Sequence, residues 1–102
     1  MKLDHLWTWS GKYFGYMDGD RLWTRDGRNV GRLQNGKIYA SNGDYIGEVR
    51  NDNRLITHSS KQGHRGSSFT PYGKRIGIVP FVDYVGYVMY AGYEDFPGPS
   101  EI

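Results

Sequence analysis

The chain repeats itself every sixteen residues, and no other property constrains its fold as much. Trp7, Trp23 and Tyr39 are 16 apart, and so are Gly11, Gly27 and Gly43. Gly15, Gly31 and Gly47 keep the step, as do Met17, Leu33 and Val49. Three units follow, 7–22, 23–38 and 39–55, the third with one extra residue around Asn51–Asn53. A fourth is expected over 56–79. Ile56-Thr57-His58-Ser59 continues as Tyr39-Ala40-Ser41-Asn42 does, and Gly73-Lys74-Arg75-Ile76-Gly77-Ile78-Val79 matches Gly43-Asp44-Tyr45-Ile46-Gly47-Glu48-Val49. Residues 60–72 then form an insertion in its first turn, and 80–102 form a C-terminal tail.

Each unit has the chemistry of a β-hairpin. Asp26-Gly27 and Asn42-Gly43 are tight-turn signals, because Gly and Asn tolerate positive φ. Asp18-Gly19 and Asn35-Gly36 supply turns between units. Aromatic and β-branched residues flank them, as strands prefer. A single hairpin is marginal in water, so four are expected to bury their apolar residues together. The expected fold is all-β: four hairpins in a pseudo-four-fold flower or shallow barrel, one domain over 1–102, with the tail packed on it. Two core layers are expected, Trp7/Trp23/Tyr39/Ile56 and Phe14/Val30/Ile46/Ile76. Gly15, Gly31, Gly47 and Gly77 are expected to let backbone or a neighbouring ring come close.

This pattern resembles the small bacterial four-fold β-flower proteins. The resemblance rests on G-x-x-φ-G-x-φ followed by a short turn and another apolar strand, here G-R-N-V-G-R-L-Q-N-G-K-I-Y and G-D-Y-I-G-E-V. It covers residues 5–79, and Ala91–Pro97 is also similar to that family. It implies a shallow pseudo-four-fold arrangement of hairpins, related in shape to Tubby-like and scramblase-like barrels. It implies no activity and transfers no catalytic or binding residue.

Composition excludes several classes. The 102 residues include no Cys, so there is no disulfide framework, thiol nucleophile or Cys-ligated zinc. No apolar run approaches the ~20 residues of a membrane helix. The opening Met1-Lys2-Leu3-Asp4-His5 lacks an apolar signal region, so a cytoplasmic location is expected. Residues 1–79 carry a formal charge of +6 and residues 80–102 carry −4. A charge of +6 is well short of a nucleic-acid footprint. The tail's Phe81, Val82, Tyr84, Val85, Tyr87 and Val88 are too apolar to hang free. The tail's period fits two readings: Phe81, Val85 and Val88 fall on a helical stripe, while Gly86 and the Val/Tyr content favour extended or irregular structure.

Function is expected from the basic 60–72 loop. Its Gly and Ser residues with Lys61, His64, Arg65, Lys74 and Arg75 suit an anionic ligand or acidic protein partner. Phe69 and Tyr72 would stack against a planar group. His58 and His64 have no third metal ligand in the pattern, so neither a metal nor a cofactor is expected. Ser59 and His58 are neighbours on a strand, which point to opposite faces, and no catalytic constellation is evident. A non-enzymatic binding module is expected, with a self-assembling homodimer or larger assembly, built through the flower face and the tail, as the alternative.

Overall fold

The computed structural model describes residues 3–102. Seven strands run up and down in sequence order: β1 (Asp4–Thr8), β2 (Tyr13–Asp18), β3 (Arg21–Thr24), β4 (Asn29–Gln34), β5 (Lys37–Tyr39), β6 (Tyr45–Arg50) and β7 (Arg54–His58). Each neighbouring pair is antiparallel. The first and seventh strands then point the same way and close the barrel as a parallel pair, Trp7 opposite Arg54 and Thr8 opposite Leu55. Beyond that seam β7 turns to another neighbour, β8 (Tyr93–Asp95), which pairs with Ile56–His58. The segment between β7 and β8 opens with a 3-10 turn, Ser59–Lys61. Among the described residues no helix is long and apolar enough to cross a membrane.

The sixteen-residue step has a structural counterpart in three β-bulges. Register shifts fall between Leu6 and Trp7, Leu22 and Trp23, and Ile38 and Tyr39. The extra residues opposite them are Phe14, Val30 and Ile46. A bulge re-aims a side chain, and these three contribute to the interior. Phe14 is fully buried in the core with Leu6, Met17, Leu22, Ile38, Leu55 and Phe96, while Val30 and Ile46 pack against that cluster. Leu6, Leu22, Ile38 and Leu55 are at most 2 % exposed. The interior is narrow. A Cβ built at Gly47 would lie 2.5 Å from the Phe96 ring, so glycine there makes room for that ring.

Strand alternation puts Trp7, Trp23 and Tyr39 on the opposite face from Leu6, Leu22 and Ile38. They are therefore not an inner core layer. Trp7 and Trp23 are buried all the same, at 4 % and 1 % exposure. What covers them is the segment 66–90, which corrects the expected fourth unit. Residues 73–79 form no strand and do not pair with 56–59. Ile76, expected in the core, is 93 % exposed. The N–H groups of Gly66, Arg75 and Tyr84 instead donate to the carbonyls of Gly43, Gly27 and Gly11 at 2.7–2.8 Å. Those of Phe69, Ile78 and Tyr87 donate to Ser41, Arg25 and Trp9 at 2.8–3.0 Å.

The donors advance by nine residues while the acceptors retreat by sixteen. Residues 66–90 thus form a strap that passes the first turn of each hairpin in reverse order. A nine-residue repeat underlies it: Ser68-Phe69-Thr70-Pro71-Tyr72, Gly77-Ile78-Val79-Pro80-Phe81 and Gly86-Tyr87-Val88-Met89-Tyr90. The indoles of Trp7 and Trp9 donate to the carbonyls of Val82 and Val88, both at 3.0 Å.

Gly27 shows why these turns need glycine. Its φ is +90°, and an added Cβ would lie 2.0 Å from the Arg75 carbonyl oxygen. Gly19 is also left-handed, at +62°, but has open space around it. Gly27→Ala should therefore cost about 2 kcal/mol more than Gly19→Ala, since both carry backbone strain of ~1 kcal/mol and only the first displaces the strap. Denaturant unfolding of the two variants measures the difference.

Candidate functional site

The loop residues expected to gather around an anion lie over different units. Lys61 Nζ bonds Glu48 Oε2 at 3.1 Å. Arg65 reaches back to the turn of the third unit, donating to Asp44 Oδ1 and to the Asn42 carbonyl, both at 2.6 Å. Arg75 pairs with Asp18 at 2.9 Å and lies 3.8 Å over the Trp23 ring. Lys74 and the side chain of His64 are exposed. Phe69 lies under the guanidinium groups of Arg21 and Arg32, at 4.6 and 5.1 Å. Tyr72 lies under Arg21 at 4.1 Å and stacks on Trp23. Tyr72 and Phe69 thus hold down the strap, and three of the four cations already have carboxylate partners.

The sequence did not single out the polar cluster that Lys61 joins. Tyr45 Oη donates to Glu48 Oε2 at 2.9 Å and accepts from the His58 N–H at 3.0 Å. Arg50 approaches the other Glu48 oxygen at 3.7 Å and donates to Tyr93 Oη at 2.6 Å. The His58 ring packs on Tyr93 with centroids 4.4 Å apart. Burial alone would push the Glu48 carboxyl up; the Tyr45 hydrogen bond and the charges of Lys61 and Arg50 outweigh it and hold the pKa below the ordinary value. Burial pushes the Tyr45 phenol up, so it stays a donor. The cluster links β6, β7, the 3-10 turn and β8. Ser60 Oγ, rather than Ser59, meets His58 Nδ1 at 2.8 Å, on the exposed surface. Among the described residues no three His, Asp or Glu side chains are grouped to hold a metal ion.

The outer side of the strap is unlike the rest of the surface. Contact with the barrel recurs at every third residue (Phe69, Tyr72, Arg75, Ile78, Phe81, Tyr84, Tyr87, Tyr90). Phe81 stacks on His5, Tyr84 on Trp7, and Tyr87 and Tyr90 lie against Trp9. One residue after each of five such contacts, Ile76, Val79, Val82, Val85 and Val88 point outward and are 84–93 % exposed. Chains of three residues per turn make such a ridge. The signal was present as the nine-residue repeat, masked by the seven-residue match of Gly73–Val79 to the hairpin pattern.

A seven-stranded barrel with bulged hairpins and a girdling strap defines a small all-β fold. The family model for the 4-fold beta flower protein matches residues 3–75, and the chain belongs to that family. No curated protein and no solved structure matches it.

The Glu48 cluster sets an acid limit on stability. With its folded pKa below the ordinary 4.5, Glu48 stabilises fully above the unfolded value and loses that contribution as pH falls through the folded value. Glu48→Gln should be less stable than the native chain by about 1–2 kcal/mol at pH 7. The gap should close once the medium is more acidic than the folded pKa. Thermal unfolding across the acid range reads both.

Proposed function

We propose that the protein is a non-enzymatic interaction module that pairs with a second copy of itself through the strap. The observation that carries this reading is the ridge of Ile76, Val79, Val82, Val85 and Val88. Monomeric soluble proteins rarely display contiguous apolar patches beyond a few hundred Å². Five aliphatic side chains exposing on the order of 100 Å² each, with the half-exposed Tyr84, Tyr87 and Tyr90 rings beside them, approach the ~800 Å² per partner of a stable interface.

The ridge also suits itself. The one carboxylate within 76–88, Asp83, is turned inward to accept from the Tyr13 N–H at 2.9 Å, and Asp18 and Asp26 beside the Ile76 end are paired with Arg75 and Arg28, so little unpaired negative charge faces a second ridge. A regular three-residue step repeats every ~9 Å along an extended chain. Two antiparallel copies interdigitate at one pitch, as an isologous two-fold contact requires.

The four-fold plan belongs to the same proposal. β7 and β8 stand for the fourth hairpin, joined by the strap in place of a tight turn, and the tail lies on the barrel. The equivalent burial of Leu6, Leu22, Ile38 and Leu55 supports it. Capture of an anionic ligand by Lys61, Arg65, Lys74 and Arg75 has less behind it, because Glu48, Asp44 and Asp18 hold three of those cations.

Light scattering on size-separated protein tests the pairing. The native chain should pass from monomer to dimer between about 10 µM and 1 mM. The double variant Val82→Glu, Val85→Glu should stay monomeric with its unfolding midpoint within about 3 °C, since surface changes cost little. A native chain that is monomeric at 1 mM would overturn the proposal.

A further inference from the structure

A cavity of about 220 Å³ opens at the end of the barrel that carries the turns between units. Its floor is apolar: Met17, Leu33 and Val49, one from each unit, with Leu6 beside them. Leu6 and Met17 belong to the buried core, and Leu33 and Val49 pack against it. The rim carries two carboxylates, Asp4 and Asp52. Among the described residues neither side chain has an ion pair or a hydrogen bond. Asp18 and Asp20 on a neighbouring turn differ, being paired with Arg75 and Arg21. The turn Asn51-Asp52 also places a carboxylate where Asn35-Gly36 has no side chain.

Apolar walls with a few convergent polar groups are the general form of a small-ligand site. Here the polar groups are anionic although the chain as a whole is +2. At ~30 Å³ per water-sized group the space holds about seven such groups. We infer that this cavity binds a small primary alkylammonium ion, its chain on the Met17/Leu33/Val49 floor and its ammonium at the Asp4/Asp52 rim. Both carboxylates are exposed, so their attraction is that of surface charges weakened by salt, and its sign still favours the cation over an anion of the same length. The inference does not depend on pairing of two copies through the strap.

The test follows the methyl resonances of Met17, Leu33 and Val49 in the full chain by carbon–proton NMR. The probes are n-propyl- to n-octylammonium chlorides, with hexanoate as the opposite charge. Affinity should rise about fourfold per added methylene up to roughly six carbons and then level off. Hexanoate should leave these methyls unmoved. Asp4→Asn and Asp52→Asn should each weaken hexylammonium binding by about fivefold. Affinity independent of chain length, equal binding of hexanoate, unchanged affinity in both Asn variants, or no shift at about 50 mM ligand would each overturn the inference. The chain-length and hexanoate arms use the native chain and stand even if a variant fails to fold.

Discussion

A meander with an odd number of strands closes with its first and last edges running the same way. That constraint leaves the β1–β7 seam held by two residue pairs, Trp7–Arg54 and Thr8–Leu55. Each antiparallel neighbour pair has three or four. Sheet edges leave backbone donors and acceptors that must find partners. Trp7 and Trp9 supply N–H groups to Asn53 and Leu55 along the seam, and β8 takes the rest of β7. Arg54 completes the closure. It is 4 % exposed, donates to the carbonyls of Trp9 and Val85, and lies 4.3 Å from the Tyr87 ring centroid. A cation so deep has no carboxylate partner among the described residues; carbonyl dipoles and a ring face replace the water lost by its two Nη groups, while Nε is buried without a hydrogen-bond partner. Arg54 therefore ties β1, β7 and the strap at the weakest point of the barrel.

The strap follows from the second consequence of the narrow barrel. Interior space is used up by Leu6, Leu22, Ile38, Leu55 and the bulged Phe14, so the large rings of each unit go outside. Trp7, Trp23 and Tyr39 would then face water. A long connection from β7 to β8, instead of a tight turn, brings chain across them. The same geometry explains the contacts on the outer rings. Arg75 over Trp23 and Tyr84 over Trp7 occupy matching places, nine residues apart on the strap and sixteen on the barrel.

The hairpins, their turns and the all-β class were legible because they depend on local chemistry repeated at one period. The extra residue at Asn51–Asn53 was legible for the same reason. The strap was not, because Gly73–Val79 satisfies two patterns at once: the hairpin's G-x-x-φ-G-x-φ and the strap's step of nine. A seven-residue window cannot separate them. Only the continuation does, since Pro80 and Phe81 repeat Pro71 and Tyr72, and no strand pairs with a segment whose every third residue faces the barrel. The basic loop misled for an electrostatic reason. Its cations were counted without Asp18, Asp44 and Glu48, which are distant in sequence and adjacent in the fold. The barrel mouth had no local signature, since Asp4 and Asp52 lie at opposite ends of the meander and meet only on closure.

The exposed ridge is then a property of the backbone, beyond its composition. Ile76 lies between the pinned residues Arg75 and Ile78, Val85 lies between Tyr84 and Tyr87, and Val79 directly follows the pinned Ile78. The half-covered rings between them are committed to Trp7, Trp9 and His5. Rotating the strap to hide the valines would break the hydrogen bonds and lift the rings at the same time. The valines therefore have no route into this molecule's own core. Free energy of burial, ~1.5–3 kcal/mol for each such side chain if fully covered, is available only to a surface brought by another molecule.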